Sequence, residues 1–111
     1  MSVDVKICGL DRSETVDAAV NAGARMLGFV FYPPSPRNLT SKKASRLTKR
    51  VPAGASRVGL FVNPTNKNIE NILHENDLEL IQLHGEVRYL LLVLMPMLVR
   101  QQWYLILLII K

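Results

Sequence analysis

Cys8 is the one cysteine of the chain, and it follows a short alternating apolar segment in Lys6-Ile7-Cys8-Gly9-Leu10-Asp11. A thiol at the end of a strand could act as a nucleophile or a general base. In parallel α/β folds the C-terminal strand ends and the loops after them form the active face. The competing reading is a small buried hydrophobe, and position alone favours it. Arg37 ends Tyr32-Pro33-Pro34-Ser35-Pro36-Arg37, where three prolines stiffen the loop. A guanidinium on a stiff loop suits bidentate capture of a carboxylate or phosphate, though an ordinary exposed arginine reads the same way. Gln82 and His84 sit two residues apart in Gln82-Leu83-His84-Gly85. Strand alternation sends both to one side, as site components or as a satisfied core hydrogen bond.

Other polar groups carry less. His74 falls on a helical stretch and reads as an exposed side chain. Lys42, Lys43, Arg46, Lys49 and Arg50 are dense enough to meet nucleic acid, but no aromatics interleave them. The solvated outer face of an amphipathic helix is the better reading. Neither histidine has a partner at metal-ligand spacing, and no Gly-rich phosphate loop occurs. No metal ion and no nucleic-acid partner are therefore expected.

The elements that must hold these residues alternate between two periods. Val3, Val5 and Ile7 alternate as a strand. Met26 to Phe31, Val58 to Val62, and Leu78, Leu80, Ile81 and Leu83 are apolar runs of strand length. Continuous apolar strands imply burial on both faces, the habit of parallel sheets. Between them lie helical patterns. Asp11 with Glu14 predicts a capping box, Val16, Ala19 and Val20 an apolar face, and Gly23 a stop. Thr40 predicts a second cap, with Leu39 stapled against Ala44 and an apolar face of Ala44, Leu47 and Val51. A third helix starts near Thr65 and aligns Ile69, Ile72 and Leu73. The order βαβαβαβ predicts an α/β fold with a parallel sheet, doubly wound or barrel. A full eight-fold barrel takes roughly 250 residues. The 111 residues here, with four strands and three helices, predict an incomplete (β/α)8 TIM barrel.

Composition fits a soluble globular chain up to a point: 49% of residues are hydrophobic and 21% charged. The net charge of +5 is unevenly placed, because all nine acids lie at or before Glu86. From Val87 on, the run Tyr89 to Val99 is apolar without helical or strand period and contains Pro96. It is also well short of the ~20 residues a spanning helix needs. The expected organisation is a domain over 1–86 and an atypical hydrophobic, frameshifted tail over 87–111, with no membrane partner. The N-terminal MSVDVKICGLD does not fit a signal peptide, and a lone thiol fits the reducing cytoplasm.

In order and approximate spacing, four segments resemble phosphoribosylanthranilate isomerase. They are Lys6-Ile7-Cys8-Gly9-Leu10; Gly28-Phe29-Val30-Phe31-Tyr32 with Ser35-Pro36-Arg37; Val58-Gly59-Leu60-Phe61-Val62-Asn63; and Gln82-Leu83-His84-Gly85. The resemblance covers residues 3–86. It implies a (β/α)8 barrel of tryptophan biosynthesis that needs no cofactor. The reaction would convert N-(5-phosphoribosyl)anthranilate to 1-(o-carboxyphenylamino)-1-deoxyribulose 5-phosphate, an aldose–ketose Amadori rearrangement. It casts Cys8 as the general base at C2 and Arg37 as the holder of the anthranilate carboxylate. Gln82 and His84 join them as candidate substrate contacts. In the family the acid is an aspartate after a later strand, and the phosphate sits on Gly-rich loops after the seventh and eighth strands. Neither is matched here, so the chain by itself is expected to be inactive. The alternative is a non-catalytic half-barrel that self-associates through its open edge or pairs with a complementary fragment.

Overall fold

The computed structural model describes residues 4–85 and 104–105, and the fold is a parallel sheet with helices against one face. In chain order the elements are β1 (Lys6–Ile7), α1 (Ser13–Asn21), β2 (Met26–Phe31), α2 (Ser41–Thr48), β3 (Ser56–Val62), α3 (Asn66–Glu75), β4 (Leu80–His84) and β5 (Tyr104–Leu105). The strands follow the order β1-β2-β3-β4-β5, each pair parallel. Sequential order with a helix in each of the first three connections is the running pattern of a (β/α) barrel wall. The four strands and three helices expected are present. Most of the tail assigned to 87–111 lies outside the described residues; Tyr104–Leu105 pairs with β4.

Alternation explains the layering. Leu27, Phe29 and Phe31 of β2 point to one face, in register with Arg57, Gly59 and Phe61 of β3, and those in turn with Ile81 and Leu83 of β4. Most of these residues form one buried cluster with Val16 and Ala19 of α1, Ala44 and Leu47 of α2, and Ile69 of α3. Phe31 and Phe61, directly opposite in register, stack with ring centroids 5.3 Å apart. Gly59 leaves the gap that Leu78 fills, since a Cβ there would lie 2.7 Å from Leu78 Cδ1. The other face carries Met26, Gly28 and Val30; Val58, Leu60 and Val62; and Leu80, Gln82 and His84. Lys6 opposes Met26, so Cys8, two residues on, falls on this second face as well. It is the interior face of the barrel wall.

The helix ends follow the sequence in three places and depart in one. Thr40 and Thr65 cap α2 and α3, each hydroxyl accepting from the backbone N–H three residues on at 3.2 Å. Past α1, Gly23 takes the left-handed conformation at φ 85. Its N–H donates to the Val20 carbonyl at 3.0 Å and that of Ala24 to Ala19 at 3.1 Å, a Schellman ending. The Asp11–Glu14 capping box does not form. The helix begins at Ser13 with Arg12 as its cap residue and no side-chain cap bond, so Asp11 sits a residue too early. Its carboxylate instead lies 3.7 Å from Arg12 Nε. Of the first strand expected from Val3, Val5 and Ile7, Val3 lies outside the described residues; the strand spans Lys6–Ile7, and the Val5 carbonyl accepts from Arg25 and Met26.

The N-terminal end of the sheet is tied by charge. Arg57 Nε donates to both Glu79 carboxylate oxygens at 3.0 Å, its Nη2 contacts Oε1, and its backbone N–H donates to Oε2 at 2.8 Å. Partial burial pushes the Glu79 carboxyl up, but the hydrogen bonds from Arg57 and its charge outweigh this and hold it below the ordinary carboxylate range. The basic side chains of α2 are all exposed, with Arg50 paired to Asp17. Among the described residues no helix is long and apolar enough to cross a membrane.

Candidate active site

The C-terminal end of the sheet gathers the residues that can do chemistry. Cys8 lies just past β1, half-buried and unpaired. The turn behind it is anchored on β2: the N–H groups of Gly9 and Leu10 both donate to the Gly28 carbonyl, at 3.0 and 3.1 Å. Gly9 is at φ 78, the left-handed region that glycine occupies without steric cost.

Arg37 reaches this turn because its loop doubles back. Ser35 N–H donates to the Tyr32 carbonyl at 2.9 Å, Asn38 N–H to that of Ser35 at 3.1 Å, and Arg37 N–H to Ser35 Oγ at 3.2 Å. The Leu39 N–H then donates to the Val30 carbonyl at 2.9 Å, and Asn38 bridges Val30 in parallel. This return brings the loop back alongside β2. The guanidinium comes to rest on Gly9: a Cβ built there would stand 2.5 Å from Arg37 Cζ and 2.8 Å from Nε. Thiol and guanidinium therefore share one turn, separated by a single residue. Arg37 is otherwise exposed, so its charge is open to an incoming anion.

Gln82 and His84 stand on the same interior face, in register with Leu60 and Val62 of β3. Gln82 is only 5% exposed, and its buried Oε1 has no hydrogen-bond partner among the described residues. An unpaired buried amide oxygen costs about 1–3 kcal/mol. His84, half-buried, ends β4, and its carbonyl accepts from the Asn63 N–H at 3.0 Å. His74 is exposed on α3, as its place on a helical stretch suggests.

Asn63 is a residue whose part the sequence did not disclose. It is left-handed at φ 43, and its amide lies over Gly85, where a Cβ would be 2.8 Å from Asn63 Cγ. The pair locks the tips of β3 and β4 together. A signal existed, since asparagine is among the few residues that tolerate this conformation and it ends an apolar strand.

A concavity of about 480 Å³ lies between the loops after β2 and β3. Its walls include Asn38, Asn63, Asn68 and Asn71 with Thr40 and Ser41, over Phe31 and Phe61. Apart from Tyr32, it offers amides and hydroxyls but no ionisable group, so it suits binding rather than proton transfer. The Cys8–Arg37 turn is the better candidate for chemistry. Among the described residues no three His, Cys, Asp or Glu side chains gather to hold a metal ion.

Comparison with known proteins places the chain in a family. A sequence model of the family described as N-(5'phosphoribosyl)anthranilate (PRA) isomerase matches residues 5–104. The N-(5'-phosphoribosyl)anthranilate isomerase of Paracoccus denitrificans is 51% identical over 85 residues, 77% of this chain and 40% of that protein. Its counterpart from Rhodospirillum centenum is 49% identical over 86 residues, 78% and 40% of the two chains. Among solved structures, a phosphoribosyl anthranilate isomerase in complex with reduced 1-(o-carboxyphenylamino)-1-deoxyribulose 5-phosphate superposes with a TM-score of 0.82 at 34% identity. That match covers 96% of this chain and 53% of the other. The Thermus thermophilus enzyme superposes with a TM-score of 0.80 at 30% identity, covering 95% and 50%. The chain thus spans about 40% of the length of the curated relatives it matches.

Proposed function

Because this chain belongs to the N-(5'-phosphoribosyl)anthranilate isomerase family, we propose that it carries the base and the carboxylate clamp of that isomerase. The reaction is the Amadori rearrangement of N-(5-phosphoribosyl)anthranilate to 1-(o-carboxyphenylamino)-1-deoxyribulose 5-phosphate, a step of tryptophan biosynthesis. The observation that carries the reading is the Arg37 guanidinium resting on Gly9, the residue next to Cys8.

In this reading Arg37 pairs with the anthranilate carboxylate, its planar fork matching two oxygens at once. Cys8, as thiolate, removes the proton from C2 of the opened sugar. The C2–H pair becomes a C1=C2 bond while the C1=N pair passes to the nitrogen; the enol hydroxyl at C2 then gives up its proton and C1 gains one, so C2 ends as the ketone and C1 as a CH2 bearing the arylamine. This is an intramolecular oxidation–reduction, and it calls for no external electron acceptor. Ring opening also needs a proton donor, and general acid and base groups contribute typically about 10²–10⁴-fold each. In this reading Gln82 and His84 are the substrate contacts from β4, on the same face as Cys8. The lone cysteine supports a reducing, cytoplasmic setting.

The test joins residues 1–84 of this chain to the remaining length of the Paracoccus denitrificans relative. The fused protein is expected to convert the substrate, followed through the anthranilate chromophore. Cys8→Ser should lower kcat by about 10²-fold or more, and Arg37→Ala should act chiefly on KM. A Cys8→Ser variant with the parent's kcat would remove Cys8 from the reaction.

A further inference from the structure

We propose that Gly28, within β2, is the positioning residue of the Cys8 thiol, an inference that rests on the reading of Cys8 as the base. Three observations meet at this glycine. A Cβ built on it would lie 3.0 Å from Cys8 Sγ, 3.0 Å from Cys8 Cα and 3.2 Å from Cys8 Cβ, inside ordinary van der Waals contact. The sulfur therefore lies flat on the bare Cα of the neighbouring strand. The Gly28 carbonyl also holds the turn after Cys8, accepting from Gly9 at 3.0 Å and Leu10 at 3.1 Å. One residue thus seats the side chain and anchors the backbone that follows it.

The third observation concerns what Gly28 is not for. Its φ is not positive, so its backbone is open to any residue. Glycine weakens a strand interior and is tolerated where another chain segment must approach closely. Gly59 on the adjacent strand is the contrast, because its missing side chain makes room on the helix-facing side for Leu78 Cδ1 and the Phe61 ring. Gly59 serves the core, and Gly28 serves the thiol. A methyl group at 28 lifts the sulfur off the sheet toward the open C-terminal end and tilts the turn that carries Gly9 and, on it, the Arg37 guanidinium.

Cys8 is the chain's one cysteine, so alkylation by iodoacetamide reports on this sulfur alone. The full chain is alkylated at fixed neutral pH across low urea concentrations. This separates a urea-independent native-state rate from a component that grows with unfolding. Gly28→Ala is expected to raise the native-state rate roughly ten-fold by exposing the thiol. Gly59→Ala should raise only the urea-dependent component. A native-state rate for Gly28→Ala within about two-fold of the parent, or an equal rise in Gly59→Ala, overturns the proposal. If Gly28→Ala gives no cooperative urea transition, the double variant Cys8→Ala/Gly28→Ala decides: recovery of the transition supports the seat, and none refutes it. No substrate enters this assay. Full turnover by Cys8→Ser in the fused protein would sink the base assignment and leave the seat standing. An unchanged alkylation rate would do the reverse.

Discussion

Replacing Glu79 by glutamine should weaken the fold at neutral pH and cease to matter in acid. Glu79 faces Arg57 across the β3–β4 pair, and its oxygens accept from Arg57 Nε at 3.0 Å and from the Arg57 backbone N–H at 2.8 Å. Glutamine keeps one acceptor oxygen but loses the charge. A charge-assisted hydrogen bond contributes about 1.5–3 kcal/mol when sheltered, while an exposed ion pair gives about 0.2–1 kcal/mol. The Glu79 side chain is 40% exposed and that of Arg57 24%, which sets the loss near 1 kcal/mol after solvent screening. Partial burial opposes ionisation, yet the Arg57 bonds hold the folded-state pKa of Glu79 below its ordinary value. A carboxyl depressed in the folded state contributes its full stabilisation above its unfolded pKa and loses it as pH falls through the folded one. Urea melts of the parent and Glu79→Gln should therefore differ at pH 7, by about 0.5–1 M in midpoint for a slope of about 1–2 kcal/mol/M. The gap should close below the ordinary carboxylate range. Every other carboxyl titrates in both proteins, so the difference isolates this pair. A gap that persists undiminished in acid, or none at pH 7, would refute the reasoning.

Two further outcomes follow from the packing. Phe61 is 1% exposed and stacked on Phe31. Phe61→Ala should cost about 3–5 kcal/mol, and a urea midpoint consistent with under about 1.5 kcal/mol would show that the site collapses around the gap. Gly9→Ala and Gly54→Ala both place alanine at positive φ, 78 and 94, and nothing lies within 4 Å of the Gly54 position. Both should lose about 1–2 kcal/mol in the same melts, because the flexible tip of Arg37 can swing aside. In the fused protein only Gly9→Ala should raise KM, about ten-fold, and it should do nothing more once Arg37→Ala is present.

What could be read from the residues alone was whatever depends on near neighbours. The apolar runs became β2, β3 and β4 because burial on both faces writes itself into consecutive residues. Thr40 and Thr65 cap their helices, and Gly23 ends α1, because those bonds span three to five positions. Asp11 misled for a local reason: a capping box needs the helix to start one residue after the cap, and it starts two residues later. The rest was hidden by distance along the chain. Arg57 and Glu79 are 22 positions apart, and Arg37 meets Gly9 only because Leu39 pairs with Val30. Gly28 carried a faint mark, a glycine inside an apolar strand, but nothing in the string says which segment approaches it.

The two faces of the sheet show why the site belongs on the interior one. Toward the helices β2, β3 and β4 present Phe29, Phe61 and Leu83, all fully buried and none with a polar atom to satisfy. On the interior face the same strands present Gly28, where a side chain would strike Cys8, and Gln82, whose buried oxygen has no partner among the described residues. Leucine at 82 would remove the desolvation cost of that amide. A wall built only for stability would hold that substitution. On the interior face the sequence instead keeps a polar side chain at 82 and a bare Cα at 28, toward the end where Cys8, Arg37 and His84 stand. The Arg57–Glu79 ion pair lies at the opposite end. Stability and chemistry thus draw on different ends of the same strands. Glu79→Gln should accordingly leave the native-state alkylation rate of Cys8 unchanged while lowering the urea midpoint, and a coupled change in both would break this division.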